Sequence, residues 1–436
     1  MLKNLQARKY FYIIFPLFIG SIMAYLDRVN VAFAALTMNK DMGFSAEQFG
    51  MGAGILFFGY MLFGVPGALI AERKSPRVWL AIILVVWGAV LAFMAFMQNA
   101  MQFYILRFLL GACEASFFPV VYAIIMPRWF NTKERPAAMS LFLSSMLLSG
   151  VIGAPLAGWL LDVSVLGLKG WQSLFLLEAF PAIALGIGYL YCLPDWPKDA
   201  NWLSPEEKQL LTTEYEQEIT AKNAVRKFTV WESCKDKKVL KLCGIFFLWM
   251  TGFWGFNFWM PTVLKSVSGW SNSQMGWLIA IPMTIAFIGF ILWGMSSSKS
   301  GEKRWHMALP LFMGAIAMAA GPFVTDPWFS LALVTVSALG LYIGLGVWWS
   351  YPTTFLSGSA AAAATSLINS IGCTSGWAGP YFTGYIKDMT GSFQGAYIGM
   401  AVSIAIAGLF LLTLDNGLVT VSTEKRYNAM SDAKKA

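Results

Sequence analysis

Two pairs of ionisable residues stand out because each lies inside a long apolar run. Asp27 and Arg28 occur in "YLDRVNVAFA", and Arg107 and Glu114 occur in "LRFLLGACEASFFP". Charged side chains are costly in hydrocarbon and usually mark a proton, ion or substrate pathway. Buried carboxyl groups can take up and release protons, and the planar guanidinium of arginine binds anions through paired hydrogen bonds. We therefore interpret Asp27 and Glu114 as proton carriers and Arg28 as the binding group for an anion.

The spacing of these residues predicts how they face one another. Arg107 and Glu114 are seven residues apart, so they share one helix face at a separation of about 10 Å. Counting residues puts Asp27 near the level of Arg107, with Glu114 about two turns deeper toward the cytoplasm. We expect Asp27 to face Arg107 and Arg28 to face Glu114 or the substrate. The alternative is that the four charges only join two helices, although desolvated ion pairs stabilise poorly.

Membrane-spanning helices must position these residues, because 57% of the 436 residues are hydrophobic and only 12% are charged. Apolar runs of about 20 residues are long enough to cross the hydrocarbon as helices, whereas membrane barrels alternate apolar and polar residues. We expect an all-α membrane protein with twelve transmembrane helices in two six-helix bundles. The expected spans are 11–38, 49–71, 78–98, 101–126, 137–162, 172–193, 239–264, 274–295, 305–324, 328–355, 361–386 and 394–414.

The loops predict orientation and domain organisation. Most of the 31 Lys and Arg residues lie in alternate loops, which predicts that both the N- and C-termini are cytoplasmic. We expect an N-terminal bundle, 1–194, and a C-terminal bundle, 239–414, followed by a cytoplasmic tail, 415–436. The cytoplasmic linker, 195–238, contains "SPEE" at 204–207, a capping-box pattern that predicts a short helix. Two bundles joined in this way are associated with alternating access.

Other classes of protein are disfavoured by the same sequence. The net charge of +8 lies in loops between apolar spans, which argues against a nucleic-acid partner. The five cysteines lack metal-ligand or disulfide spacing. We find no constellation typical of a membrane-embedded enzyme. We therefore expect no enzyme activity, no metal and no cofactor, with protons as the coupling ion.

Aromatic and amide residues within the spans are further candidates for a substrate site. For each of them the alternative is ordinary packing or hydrogen bonding between helices. These residues are Tyr25, Tyr60, Asn257, Trp348, Trp349 and Asn369.

Four stretches carry a resemblance to a known family: "YLDRVNVAFA", "LRFLLGACEASFFPVVYAIIMPRWF", "KERPAAMSLF" and "TTFLSGSAAAAATSLINSIGCTSGWAGPYFTGYIKDMTGS". Together they resemble the anion:cation symporter branch of the major facilitator superfamily, especially its tartrate, rhamnonate and hydroxyphenylacetate permease-like members, which are related to galactonate:proton symporters. The resemblance implies that Asp27 and Glu114 carry protons, that Arg28 binds substrate and that Arg107 is the basic partner of Asp27. It also implies that four side chains line the pocket: Tyr25, Tyr60, Trp349 and Asn369.

The sequence departs from that family at three places. The loop after the second span, "GALIAERKSPRVW", has a shifted spacing, which leaves a gating role for Arg73 and Arg77 in doubt. Ser145 stands where galactonate-type members carry a glutamine. Gly346 and Trp348 stand where hydroxyl residues are expected. This more aromatic pocket favours a smaller, deoxy or aromatic carboxylate.

We therefore predict a proton-coupled importer of a small organic carboxylate, such as a sugar acid, hydroxy acid or aromatic acid. Its expected partners are the anionic substrate, protons and membrane lipid. We expect a monomeric, multi-pass plasma-membrane protein, located in the inner membrane of a bacterium. Two alternatives remain open: an organic anion exchanger of the same superfamily, and a membrane substrate sensor that does not transport.

Overall fold

The structure is a computed structural model that describes residues 2–131, 134–223, 236–351 and 358–414. These residues form helices and connecting loops, with no strand in the described ranges. Eleven helices are long and apolar enough to cross a membrane, and a further helix of 33 residues completes twelve. This confirms the predicted all-α membrane architecture. The helices are α1 (Asn4–Met42), α2 (Ala46–Arg73), α3 (Pro76–Met94), α4 (Ala100–Trp129), α5 (Arg135–Leu160), α6 (Gly170–Cys192), α7 (Pro205–Asn223), α8 (Lys237–Ser268), α9 (Asn272–Ser300), α10 (Arg304–Ala320), α11 (Pro327–Ser350), α12 (Gly358–Thr390) and α13 (Gln394–Leu412).

In each half, the loop between the first and second helices has the same local structure. Gly43 and Gly269 end α1 and α8 with φ values of +66° and +65°, a conformation that glycine adopts without steric cost. Two residues later, Ser45 and Ser271 each form a capping box with a glutamine at the third helical position. The matching sequences "GFSAEQ" and "GWSNSQ" therefore identify corresponding positions in the two halves.

Helix α7 belongs to the linker and is fastened to the first half. Its capping box forms as predicted: Ser204 Oγ accepts from the Glu207 N–H at 3.2 Å, and the Glu207 carboxylate accepts from the Ser204 N–H at 3.0 Å. Arg135 at the start of α5 donates two hydrogen bonds to the Glu218 carboxylate. The helix runs for 19 residues, which is longer than the short helix predicted. We refer to this end of the molecule as the linker end and to the opposite end as the far end.

Two acidic residues join the halves at the far end. Asp388, near the end of α12, accepts from the backbone N–H groups of Ala46 at 3.1 Å and Glu47 at 2.7 Å, at the start of α2. Asp162, just after α5, accepts from the side-chain amide of Asn272 at 3.0 Å and from the Ser273 hydroxyl at 2.6 Å, at the start of α9. Carboxylates are stabilised at helix N-termini by free N–H groups and by the helix dipole. We call these two contacts the far-end latches.

Glycines bring α2 and α12 into direct backbone contact beside one latch. A Cβ atom at Gly50 would lie 2.3 Å from the Pro380 carbonyl oxygen, and one at Gly54 would lie 2.7 Å from Cα of Trp377. Small residues permit this close approach of membrane helices. The hydrogen bonds between the halves that fall within the described ranges all lie toward the far end. The structure is therefore closed at the far end.

Candidate functional site

A cavity lies between the two halves. Its walls come from α1 and α5 of the first half and from α8, α9 and α11 of the second. The lining is mainly aromatic, aliphatic and methionine side chains, and Arg28 is the one charged residue among those described there. Other polar groups in the lining come from Tyr25, Ser149, Asn257 and Tyr342. A single cation in an apolar cavity is suited to bind one anionic group of an otherwise less polar molecule.

Arg28 is held by neighbours from three helices. Its Nη1 donates to the Ala24 carbonyl oxygen at 2.6 Å, and its Nη2 donates to the Tyr60 hydroxyl at 2.5 Å. The same Nη2 lies 3.2 Å from Glu114 Oε2, forming an ion pair. The Tyr25 ring lies 5.1 Å from the guanidinium carbon, so one aromatic face also stabilises the charge. These contacts fix the guanidinium at the edge of the cavity.

Glu114 is buried at the point where α4 becomes irregular. It is fully buried and receives the Tyr60 hydroxyl hydrogen bond at 2.5 Å in addition to the Arg28 contact. Glu114 ends the first regular stretch of α4, and a π-helical turn follows at 121–125. Such irregular turns are frequent at functional sites.

Asp27, next to Arg28 on α1, does not line the cavity. It is buried, and Oδ2 accepts a hydrogen bond from the indole N–H of Trp87 on α3. The Asp27 and Glu114 carboxyl groups are near enough to interact electrostatically. Two like charges buried close together are costly, so these two acids are suited to hold one proton between them.

Arg107 does not pair with Asp27, which corrects the prediction from the sequence. It is fully buried, and it donates to the carbonyl oxygens of Gly52 at 3.4 Å and Ala53 at 3.2 Å on α2. The close packing of α2 on α4 explains this, since glycines on both helices bring the backbone carbonyls within reach. Glu114, rather than Arg107, lies at the level of Asp27 and Arg28.

Two polar contacts of this cluster were missed by sequence reasoning. Trp87 supplies the donor to Asp27, and Asn30 donates from its Nδ2 to Oε1 of Glu178 on α6. A tryptophan in the middle of an apolar span was a usable signal, because a buried indole N–H usually has an acceptor. Asn30 was also visible, since it follows Asp27 by three residues and shares its helix face.

The wall contributed by the second half contains rings and one amide. Asn257 is hydrogen-bonded to its own helix, with Nδ2 donating to the Phe253 carbonyl at 2.8 Å. Its Oδ1 accepts from the Tyr342 hydroxyl at 2.7 Å. Trp254 faces Phe57 of the first half with ring centroids 4.8 Å apart. Tyr25, Arg28 and Asn257 are thus the predicted site residues that line this cavity.

Several other predicted site residues do not line the cavity. Ser145 is buried against α1, where its hydroxyl lies 2.6 Å from that of Ser21. Trp348 is buried within the second half and stacks on Phe246 at 5.3 Å. These two corrections share a cause, because each side chain is buried at a contact between helices and not at the cavity.

The remaining candidates lie elsewhere in the structure. Trp349 packs edge-on against Phe246, Asn369 is exposed, and Tyr60 contacts Arg28 without lining the cavity. Of the two residues with a doubtful gating role, Arg73 is exposed, and Arg77 lies 3.8 Å from Asp195 of the linker.

Comparisons with known proteins agree with one another. The family model for the Major Facilitator Superfamily matches residues 17–380. A protein of Agrobacterium vitis, named provisionally as a tartrate transporter, is 39% identical over 393 residues, covering 90% of each chain. The metabolite transport protein NicT of Pseudomonas putida, also named provisionally, is 37% identical, covering 91% of each chain. Among solved structures, a bacterial homologue of the human lysosomal transporter Spinster, in an inward-facing and unoccupied conformation, aligns with a TM-score of 0.73 at 18% identity, covering 92% of this chain and 94% of that one.

Proposed function

Because this chain belongs to the Major Facilitator Superfamily, we propose that it imports a small organic carboxylate together with protons, by alternating access. It is a multi-pass inner-membrane transporter and not an enzyme, as its fold and its relatives establish. Relatives named for tartrate transport support an organic acid as the substrate. We also propose that transport is coupled to protons, that its direction is inward and that both termini are cytoplasmic.

The observation that carries the proposal is Arg28, the one charged residue among the described residues of the cavity lining. Its guanidinium already contacts the acid that would carry the proton, Glu114, at 3.2 Å. A substrate carboxylate in the cavity competes with Glu114 for the same donors. When Arg28 turns to the substrate, Glu114 loses its counter-ion and takes up a proton. Proton and anion then bind cooperatively, which is the requirement for symport.

Asp27, which is near enough to Glu114 to interact with it electrostatically, supplies a second position for the proton. Because both acids are buried and close to each other, a proton on one of them is favoured over two like charges, and it can move between them without a large rearrangement of the helices. Tyr60 connects the pair to Arg28 by donating to Glu114 and accepting from Arg28. The proton site and the anion site therefore share one hydrogen-bonded cluster.

The apolar lining supports a carboxylate with few hydroxyl groups, such as an aromatic or deoxy acid. Trp254, Phe258 and Met283 line the same cavity as Arg28. A buried hydroxyl without a partner costs about 1–3 kcal/mol, and this wall offers few partners beyond Asn257 and Tyr342. Exchange of two anions is less well supported, since the lining described contains a single cation.

Transport by the purified protein in liposomes tests the proposal. The probes are radiolabelled tartrate, gluconate and phenylacetate, presented with and without an inward proton gradient. One proton carried with one monoanion supports about tenfold accumulation for each pH unit. We expect the gradient to drive accumulation in the wild type, and Asp27→Asn to abolish it. Asp326→Asn is the matched control, because Asp326 only caps α11 and asparagine is an equally good cap.

Two outcomes would contradict the proposal. Uptake by the wild type that is indifferent to the pH gradient would exclude proton symport. Uptake that requires a carboxylate on the opposite side of the membrane would favour an exchanger instead.

A further inference from the structure

Glu178 is a buried carboxyl group that the proposed mechanism does not yet use. It is 8% exposed, and its Oε1 accepts from Asn30, whose side chain is fully buried. Its other oxygen, Oε2, and the Asn30 amide oxygen have no hydrogen-bond partner among the described residues. An ionised carboxylate buried with one amide donor is poorly solvated. A neutral carboxylic acid is compatible with this position and can donate its proton to an acceptor nearby.

Asp27 is the titratable neighbour of Glu178 among the charged side chains on the helices that pack against α6. Helix α6 packs against α1, α3 and α5. The charged side chains of α3 and α5 are Arg77 and Arg135, both in the first turn at the linker end. On α1, Asp41 is at the far end, where it pairs with Lys169. Arg28, two residues before Asn30 on α1, directs its guanidinium to Tyr60 and Glu114, so no cation among the described residues forms an ion pair with Glu178.

Asp27 is close to Glu178 and away from the cavity. Asn30 follows Asp27 by three residues on α1, so the partner of Glu178 lies about 4.5 Å further toward the far end on the same face. Asp27 and Glu178 are near enough to interact electrostatically. Neither side chain lines the cavity, so a proton that reaches Asp27 from the far end needs a route within the first half.

We propose that Glu178 delivers protons from the far end to Asp27, with Asn30 holding its carboxyl group in position. Glu178 lies eight residues into α6, about 12 Å from the far end of that helix. A proton from water at the far end neutralises the Glu178 carboxylate, passes to the Asp27 carboxylate and leaves Glu178 ionised for the next proton. The order of carriers is then Glu178, Asp27 and Glu114. This inference rests on the proposed proton symport.

The test compares two transport assays on Glu178→Gln in liposomes. The probe is whichever of tartrate, gluconate and phenylacetate the wild type accumulates most. Glutamine keeps an oxygen that can accept from Asn30 but carries no transferable proton. We expect accumulation driven by one pH unit to fall by about tenfold, while counterflow at equal pH, which needs no net proton movement, stays within about twofold of wild type. Equal changes in both assays, including no change or loss of both, would overturn the proposal.

A second measurement does not depend on transport. Infrared difference spectra between acid and neutral pH should contain a carboxylic C=O band that disappears in Glu178→Gln and persists in Asp41→Asn, the control from the same region. An unchanged spectrum in Glu178→Gln would also overturn the proposal. If the wild type itself ignores the gradient, the proposed symport fails independently of Glu178.

Discussion

The two halves that face the cavity differ in their chemistry. The first half supplies Arg28, Tyr60 and Glu114, joined in one buried hydrogen-bonded cluster on α1, α2 and α4, with Asp27 near enough to interact electrostatically. The second half supplies aromatic rings and the Asn257 amide, whose hydrogen bonds stay within that half. The cluster therefore stays intact when the halves move apart. Under the proposed symport, coupling belongs to the first half and recognition of substrate shape to the second.

The largest expected effect comes from removing the cation from the first half. Arg28→Ala should weaken binding of the transported carboxylate by about 100-fold, because charge-assisted hydrogen bonds to the guanidinium are lost. Isothermal titration with purified protein measures the loss. If the variant binds within about threefold of wild type, another residue binds the anion, and the first half is not the half that recognises charge.

The next effect separates coupling from binding. Glu114→Gln should retain counterflow but lose about tenfold of the accumulation that one pH unit sustains, since the amide cannot exchange a proton. Glu302→Gln, a change in the second half near the linker end, serves as the matched control and should accumulate substrate normally. If Glu302→Gln also uncouples transport, proton handling is not confined to the first half.

Movement of the two halves relative to each other can be tested at the contact of α2 with α12. In Gly50→Ala, the new methyl group would meet the Pro380 carbonyl oxygen, and overpacking of this kind costs about 1–3 kcal/mol. We expect a shift of about tenfold toward conformations open at the far end. Electron-spin distance measurements between the α1–α2 and α12–α13 loops report this shift. Gly188→Ala, which meets no atom within 4 Å, should leave the distances unchanged.

The smallest effect is expected in the second half. Asn257→Ala should weaken binding by about threefold, since one neutral hydrogen bond contributes about 0.5–1.5 kcal/mol. It should also change the order of preference among tartrate, gluconate and phenylacetate while leaving the response to a pH gradient intact. A loss of gradient response in this variant would show that the second half takes part in coupling.

The sequence was most informative about what lies buried in the membrane. Asp27, Arg28 and Glu114 were identified because charges inside apolar runs are rare, and the linker capping box was identified from "SPEE" alone. The partner of Arg107 was not predictable, because spacing fixes a helix face but not the depth at which two helices cross. The positions of Ser145 and Trp348 were predicted wrongly for a related reason. Lipid and protein interior are both apolar, so the sequence pattern of a membrane helix hardly distinguishes the side that faces a cavity from the side that packs on another helix.

The far-end latches have a geometric consequence. Asp388, with Trp377 and Tyr381 beside it, joins α12 to α2, and Asp162 joins α5 to α9, so the hydrogen bonds between the halves in the described ranges lie in two separate groups. Two fixed points on a pair of rigid bodies leave one free motion, a rotation about the line through both points. That line is then the hinge axis of the molecule while the latches hold. Rotation about it widens or narrows the linker end without parting the far end, so a continuous leak across the membrane is avoided.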